Sequence, residues 1–121
     1  MGFELENLRI SVVGLGYVGL PLAVEFSRKY PTVGFDIKAS RIEELSQGSD
    51  STLEVSSEEL AAAENLSFSS SVDDIADCNF YVVTVPTPIG DGNRPLLTPL
   101  RNASMALGGL LKKGDIVVYE S

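Results

Sequence analysis

Apolar and polar positions fall into short blocks along this chain, and their spacing changes from block to block. "LRISVVGLG" is a brief apolar run that opens at Leu8 and closes on glycines, the pattern of a strand buried on both faces. In the next block Val18, Leu22, Val24 and Phe26 sit among Ala23, Glu25 and Ser27 and stop before "YP". This predicts a helix to about Lys29, with Pro21 in its first turn or so, where a missing N–H costs little. "TVGFDI" reads as a second strand whose apolar character ends at Asp36, and "KASRIEELSQG" as a second helix with Ile42 and Leu45 on one side and Gly48 as its stop.

From Ser49 to Ser71 the chain is polar and serine-rich around a short helical piece, "SSEELAAAE", where Ser57 is the expected cap. "LSFSS" then suits a brief edge strand, "SVDDIADC" a short helix, and "NFYVVTV", Asn79 to Val85, a strongly strand-like run. "PTPIGDGNRPLLTPL" is punctuated by prolines and glycines and belongs outside the packed layers. A helix is expected from about Pro99 to Leu111, capped by Thr98, with Ala103, Leu107 and Leu110 as its apolar contacts; Gly114 turns the chain into a last strand, "DIVVYES". Strands separated by helices imply an α/β fold with a parallel sheet covered on both faces. No repeat or linker divides the chain, so residues 1–121 read as one domain.

Three glycines, Gly14, Gly16 and Gly19, stand where the first strand gives way to the first helix, in the spacing G-x-G-x-x-G. Alone the string is weak. Its setting strengthens it, because a strand precedes, a helix follows, and the next strand ends in an acid, Asp36, about twenty residues on. Gly14 then permits the tight turn, Gly16 lets the backbone approach a diphosphate, and Gly19 lets the helix pack close to the sheet. The diphosphate meets free N–H groups at the positive end of the helix. The reading is a Rossmann-like doubly wound sheet of three layers, strand order 3-2-1-4-5, that binds a dinucleotide.

Asp36 is expected to accept hydrogen bonds from the adenosine ribose and to repel a 2′-phosphate, which favours NAD over NADP. Arg41 either lies beside the adenosine ribose or phosphate or is a surface arginine paired with Glu43 or Glu44. "TVPTP", Thr84 to Pro88, emerges at the ligand edge of such a sheet and offers the hydroxyls of Thr84 and Thr87, with a rigid turn as the alternative. Glu120 and Ser121 reach the same edge, towards the nicotinamide end.

Composition narrows the partners. Seventeen acidic against nine basic residues give a formal charge of -8, which argues against nucleic acid. There is no histidine and a single cysteine, Cys78, so a zinc site of the usual ligands and a disulfide framework are excluded within the chain. With no imidazole to activate it, Cys78 reads as an inert thiol. The chain lacks an apolar run long enough to cross a membrane and a basic, then apolar, start, and is expected to be cytoplasmic. With 44% hydrophobic residues it has the means to fill a core.

"VVGLGYVGLPLAVEFS", "VGFDI", "YVVTVPTP", "LTPL" and "GDIVVYES" together resemble the amino-terminal domain of the nucleotide-sugar 6-dehydrogenase family, the UDP-glucose and GDP-mannose dehydrogenases. "VPTP" is most similar to the branch acting on UDP-N-acetylglucosamine or UDP-N-acetylgalactosamine. The resemblance implies oxidation of C6 of a UDP-sugar to the uronic acid for surface polysaccharide, with NAD, in a homodimeric parent. It implies that Gly14, Leu15, Gly16, Tyr17 and Val18 hold the pyrophosphate, Asp36, Ile37 and Arg41 the adenosine end, and Thr84, Val85, Pro86 and Thr87 the cofactor cleft. Ser121 matches the serine of the family's S-T-V segment, and Glu120 precedes it. Leu96 stands where the branch usually has an aspartate. The family's catalytic cysteine, its dimer helix and its sugar-nucleotide domain fall beyond residue 121, so the chain is expected to be a cofactor-binding portion without turnover of its own. The alternatives are an NAD-sensing module, a UDP-glucose or GDP-mannose 6-dehydrogenase, or a short hydroxyacid or 3-hydroxyacyl dehydrogenase domain.

Overall fold

A computed structural model of the chain describes residues 7–51, 54–84, 105, 107–109, 111–112 and 114–120. The central strand β1, Ile10–Val13, is buried along its whole length. It runs into α1, Gly19–Ser27, and back through β2, Thr32–Phe35. Next come α2, Ala39–Ser46, α3, Ser57–Ala62, and β3, Leu66–Ser69. A 3-10 helix, Val72–Ile75, leads to β4, Phe80–Val83, and the last described strand is β5, Ile116–Tyr119. The five strands form one sheet in the order β3-β2-β1-β4-β5, every neighbouring pair parallel. This is the order expected from the sequence.

Alternation along the strands sends side chains to two separate cores. Ile10 and Val12 of β1 join Leu20, Ala23 and Val24 of α1, Leu45 of α2 and Val82 of β4 in one cluster. Val13 joins Phe35, Ile75, Cys78, Tyr81, Val83 and Leu107 in the other. Helices therefore cover both faces, and the strands that bury both faces carry near-continuous apolar runs. Buried Tyr81 keeps its hydroxyl satisfied by the Ile75 and Cys78 carbonyls, at 2.9 and 3.0 Å. No helix among the described residues is long and apolar enough to cross a membrane.

Local chemistry sets the element ends. Gly48 has φ +82°; its N–H donates to the Leu45 carbonyl and that of Ser49 to Glu44, so α2 ends in a Schellman turn. The cap of α3 is Ser56 and not Ser57. Only from Ser56 does a glutamate fall at the third helical position, and Ser56 and Glu59 bond each other's backbone N–H reciprocally, both at 3.1 Å. The segment expected to be a helix before β4 is a single 3-10 turn. Helix α1 ends at Ser27, two residues short of the expected Lys29. Of the expected helix to Leu111, the described positions Met105 and Leu107 are helical, with Leu107 buried; Thr98, Pro99, Ala103 and Leu110 lie outside the described residues.

Candidate functional site

The first turn after β1 is built around one carbonyl. Gly14 takes φ +103°, a left-handed conformation that glycine adopts without a steric cost. That places the Gly14 carbonyl under the start of α1, where the Thr84 hydroxyl donates to it at 2.6 Å. A Cβ on Gly19 would lie 1.7 Å from the same oxygen and 2.4 Å from Thr84 Oγ1. Nothing larger than hydrogen fits there. The Thr84 N–H also donates to the Val13 carbonyl at 2.8 Å, so the end of β4 is stitched to the glycine turn.

Thr84 consequently differs from its expected role. Its side chain is buried and spent on the turn's own carbonyl, so it shapes the site from beneath instead of offering its hydroxyl outward.

The Leu15 peptide is held from both ends. Its N–H donates to Asp36 Oδ2 at 3.0 Å, and its carbonyl accepts from Arg41 Nε at 2.8 Å. Its side chain is buried over Gly34 of β2, where a Cβ would press to 3.0 Å on both Leu15 Cδ2 and Phe68 Cδ1. The sequence carried a signal for this, since a glycine inside a strand pattern marks a close approach. Asp36 Oδ1 accepts in addition from the Lys38 N–H at 3.0 Å, which orients the carboxylate at the end of β2.

Arg41 is neither a freely solvated surface residue nor paired with one neighbour. Its side chain is 10% exposed, and Nη1 bonds Glu44 Oε2 at 2.8 Å and Asp50 Oδ1 at 2.9 Å. Asp50, which the sequence reading missed, has no exposed side-chain surface and accepts from the Glu54 and Val55 N–H groups through its other oxygen. Its only sequence signal is an acid two residues after a helix-stopping glycine. Glu44 also accepts from the Ser51 N–H, and this bond, with the guanidinium beside it, holds its carboxyl below the ordinary value of 4.5.

What remains open is the backbone of residues 16 to 18. A Cβ on Gly16 would meet nothing within 4 Å. The N-cap of α1, Val18, supplies no side-chain cap, and the first turn carries no acid. The first N–H groups of a helix have no intrahelical acceptor. Around this mouth stand exposed apolar side chains: Tyr17 at 68%, Val18 at 40% and Ile37 at 78%. Glu120 is exposed beyond β5, its N–H bonded to the Val83 carbonyl at 2.8 Å. Val85, Pro86, Thr87 and Ser121 lie outside the described residues. An open groove of about 460 Å³ lined by Leu45, Gly48, Leu60, Leu66 and Phe68, among others, shares no residue with the glycine turn and is not part of the site.

The turn fits a dinucleotide diphosphate on two observations: the space a Gly16 side chain would fill is empty, and the helix end behind it is uncapped. Among the described residues no cluster of acids and cysteine could hold a metal. Cys78 is buried in the second core, and burial raises its thiol to about 11 from 9.0. At pH 8 this leaves roughly a hundredfold less thiolate than in an exposed cysteine. Iodoacetamide should accordingly label the folded protein at least about tenfold more slowly than the urea-unfolded one, followed by mass spectrometry; equal rates would show that the second core is open to solvent.

Comparison with known proteins agrees with this architecture. The chain is 58% identical over 117 residues to a UDP-N-acetyl-D-glucosamine 6-dehydrogenase of Pseudomonas aeruginosa, covering 97% of this chain and 28% of that relative. It is 52% identical to a protein of the same name from Salmonella typhi, with 98% and 28% covered. Among solved structures, a UDP-D-ManNAc dehydrogenase from Pyrococcus horikoshii superposes with a TM-score of 0.82 at 30% identity, over 94% of this chain and 28% of that one. The chain thus spans little more than a quarter of the length of these relatives. Residues 8–121, from the foot of β1 onwards, match the model of the UDP-glucose/GDP-mannose dehydrogenase family's NAD binding domain, and the chain belongs to that family.

Proposed function

We propose that the chain is the cofactor-binding portion of an enzyme that oxidises C6 of a UDP-N-acetylhexosamine to the uronic acid, with the diphosphate of NAD lying against the backbone of Gly16 to Val18 and the adenosine ribose on Asp36. The observation that carries this reading is the clamped Leu15 peptide. With its N–H and carbonyl already bonded to Asp36 and Arg41, the turn leaves the next amides, at the bare start of α1, for a ligand. An anion there gains both from N–H donors and from the helix dipole.

Asp36 divides its two oxygens between Leu15 and Lys38 amides, which fixes the carboxylate where a ribose could meet its remaining lone pairs. A carboxylate so placed disfavours a 2′-phosphate. Arg41 does not offset this, because two carboxylates and the Leu15 carbonyl take up Nη1 and Nε, and Nη2 is buried. Exposed Ile37 and Tyr17 supply apolar surface beside the two ends of this path. Bound NAD would supply the hydride acceptor; the residues described here bind and orient it, and the groups that handle the sugar belong to the remainder of the protein. The acetylated substrate rests on the names of the relatives at 52 and 58% identity and on the "VPTP" segment.

Titration of the full-length protein with NAD should give saturable binding that Asp36→Ala weakens by about tenfold to a hundredfold, the worth of hydrogen bonds to a charged acceptor. Unchanged affinity in that variant would remove Asp36 from the site. Assay of the full-length protein with both N-acetylated UDP-sugars and with UDP-glucose then reads the substrate directly.

A further inference from the structure

The sequence between α2 and α3 is a polar stretch with no evident task, yet it delivers the most deeply buried charged side chain described near the glycine turn. The Schellman turn at Gly48 reverses the chain after α2, and Asp50 returns against Arg41. One carboxylate oxygen accepts from Arg41 Nη1 at 2.9 Å, and the other accepts from Glu54 and Val55 N–H at 2.9 and 3.0 Å. Val55, which supplies one of these amides, is part of the first core. Asp50 is thereby fixed to the body of the domain; Glu44, one turn from Arg41 on the same helix, ties α2 to the loop through the Ser51 N–H instead.

Glu44 shares Nη1 with Asp50, at 2.8 Å, but from within the same helix; Asp50 is the carboxylate that holds the guanidinium from outside α2. Nη2 is buried and has no hydrogen-bond partner among the described residues; Nε is the atom that reaches the Leu15 carbonyl. We infer that Asp50 is a positioning residue of the dinucleotide site: by fixing Arg41 it sets the Leu15 carbonyl, and through that peptide the direction in which the following amides are presented. This rests on the reading of the turn as a dinucleotide site. It assigns to a loop outside that turn part of the control over ligand affinity.

The test is a double-mutant cycle in the full-length protein, with ADP-ribose as the probe and calorimetry as the readout. Asp50→Asn keeps size and an acceptor for the 54 and 55 amides but turns an amide N–H₂ towards Arg41. It should weaken ADP-ribose by about tenfold in the unaltered background. Arg41→Lys keeps the charge but lacks the planar fork that bonds Leu15 and Asp50 together. In that background Asp50→Asn should change affinity by less than about twofold, since the path to Leu15 is already cut.

A residue that only stabilises the fold would lower the melting temperature without this coupling. If Asp50→Asn does not fold, Asp50→Glu, which keeps the charge and displaces the carboxylate, enters the same cycle with the same sign expected. In the unaltered protein the Arg41 Nε–H resonance should shift on saturation with ADP-ribose. Neutral Asp50 variants, equal effects in both backgrounds, or an unmoved resonance would each overturn the inference. Asp36→Ala is measured alongside: if it weakens binding while the Asp50 variants do not, only the role of Asp50 fails, and if all are neutral the dinucleotide reading fails as well.

Discussion

Gly19→Ala should bring the domain to the edge of unfolding. The new methyl would sit 1.7 Å from the Gly14 carbonyl oxygen and 2.9 Å from its carbon, and both are backbone atoms that no rotamer change can move. Relief requires α1 to lift from the sheet, and α1 supplies Leu20, Ala23 and Val24 to the first core. Overpacking of an ordinary core site costs about 1–3 kcal/mol; a clash against fixed backbone at a helix start belongs above that, at about 4 kcal/mol or more. A native domain has only about 5–15 kcal/mol in hand. Thermal melting followed by circular dichroism should show a fall on the order of 15 °C or no cooperative transition. The neighbouring glycine is the control. At Gly16 a methyl meets nothing within 4 Å and the backbone is not left-handed, so Gly16→Ala should melt with the unaltered protein while NAD binding weakens. Equal melting of both variants with the unaltered protein would refute the description of the turn.

The second large effect is expected at Arg41→Ala. Truncation leaves Asp50, with no exposed side-chain surface, facing a void where its cation stood. Removing one member of a buried pair typically costs about 3–5 kcal/mol, most of it from the uncompensated charge that stays behind. The Leu15 carbonyl loses its donor at the same time. Urea unfolding should show the midpoint falling with an unchanged slope. The exposed pair Arg28–Glu25, with side chains 64% and 70% in solvent, makes the comparison: Glu25→Gln should leave the midpoint where it is. A loss from Arg41→Ala as small as that from Glu25→Gln would mean that the Arg41–Asp50 pair is effectively solvated.

The parts of this site visible in the sequence are those whose physics is local. Left-handed φ at Gly14, the helix stop at Gly48, the acid closing β2 and the apolar runs of β1 and β4 each follow from a residue and its near neighbours. Strand order followed as well, because a glycine turn after the first strand and an acid closing the second mark a doubly wound sheet, whose usual order this is. What was hidden depends on segments far apart in the chain. Thr84 looks like a free hydroxyl until β4 is laid beside β1 and its oxygen meets the Gly14 carbonyl, seventy positions earlier. Arg41 has two carboxylates within reach by sequence, Glu43 and Glu44, and nothing local says that Asp50 joins it. The cap of α3 is the exception, a local matter that the sequence does hold: Ser56 and Ser57 are equally good caps as residues, and the glutamate three positions after Ser56 decides for it.

The clamp on the Leu15 peptide also bears on how quickly a ligand is captured. Because opposite charges on two different elements hold that peptide before anything arrives, docking requires little ordering of this turn, and the entropy usually surrendered when a phosphate loop closes is already spent in folding. Association at such a rigid cradle is governed by encounter and orientation, so differences in affinity among close relatives that keep this clamp should reside in the rate of departure.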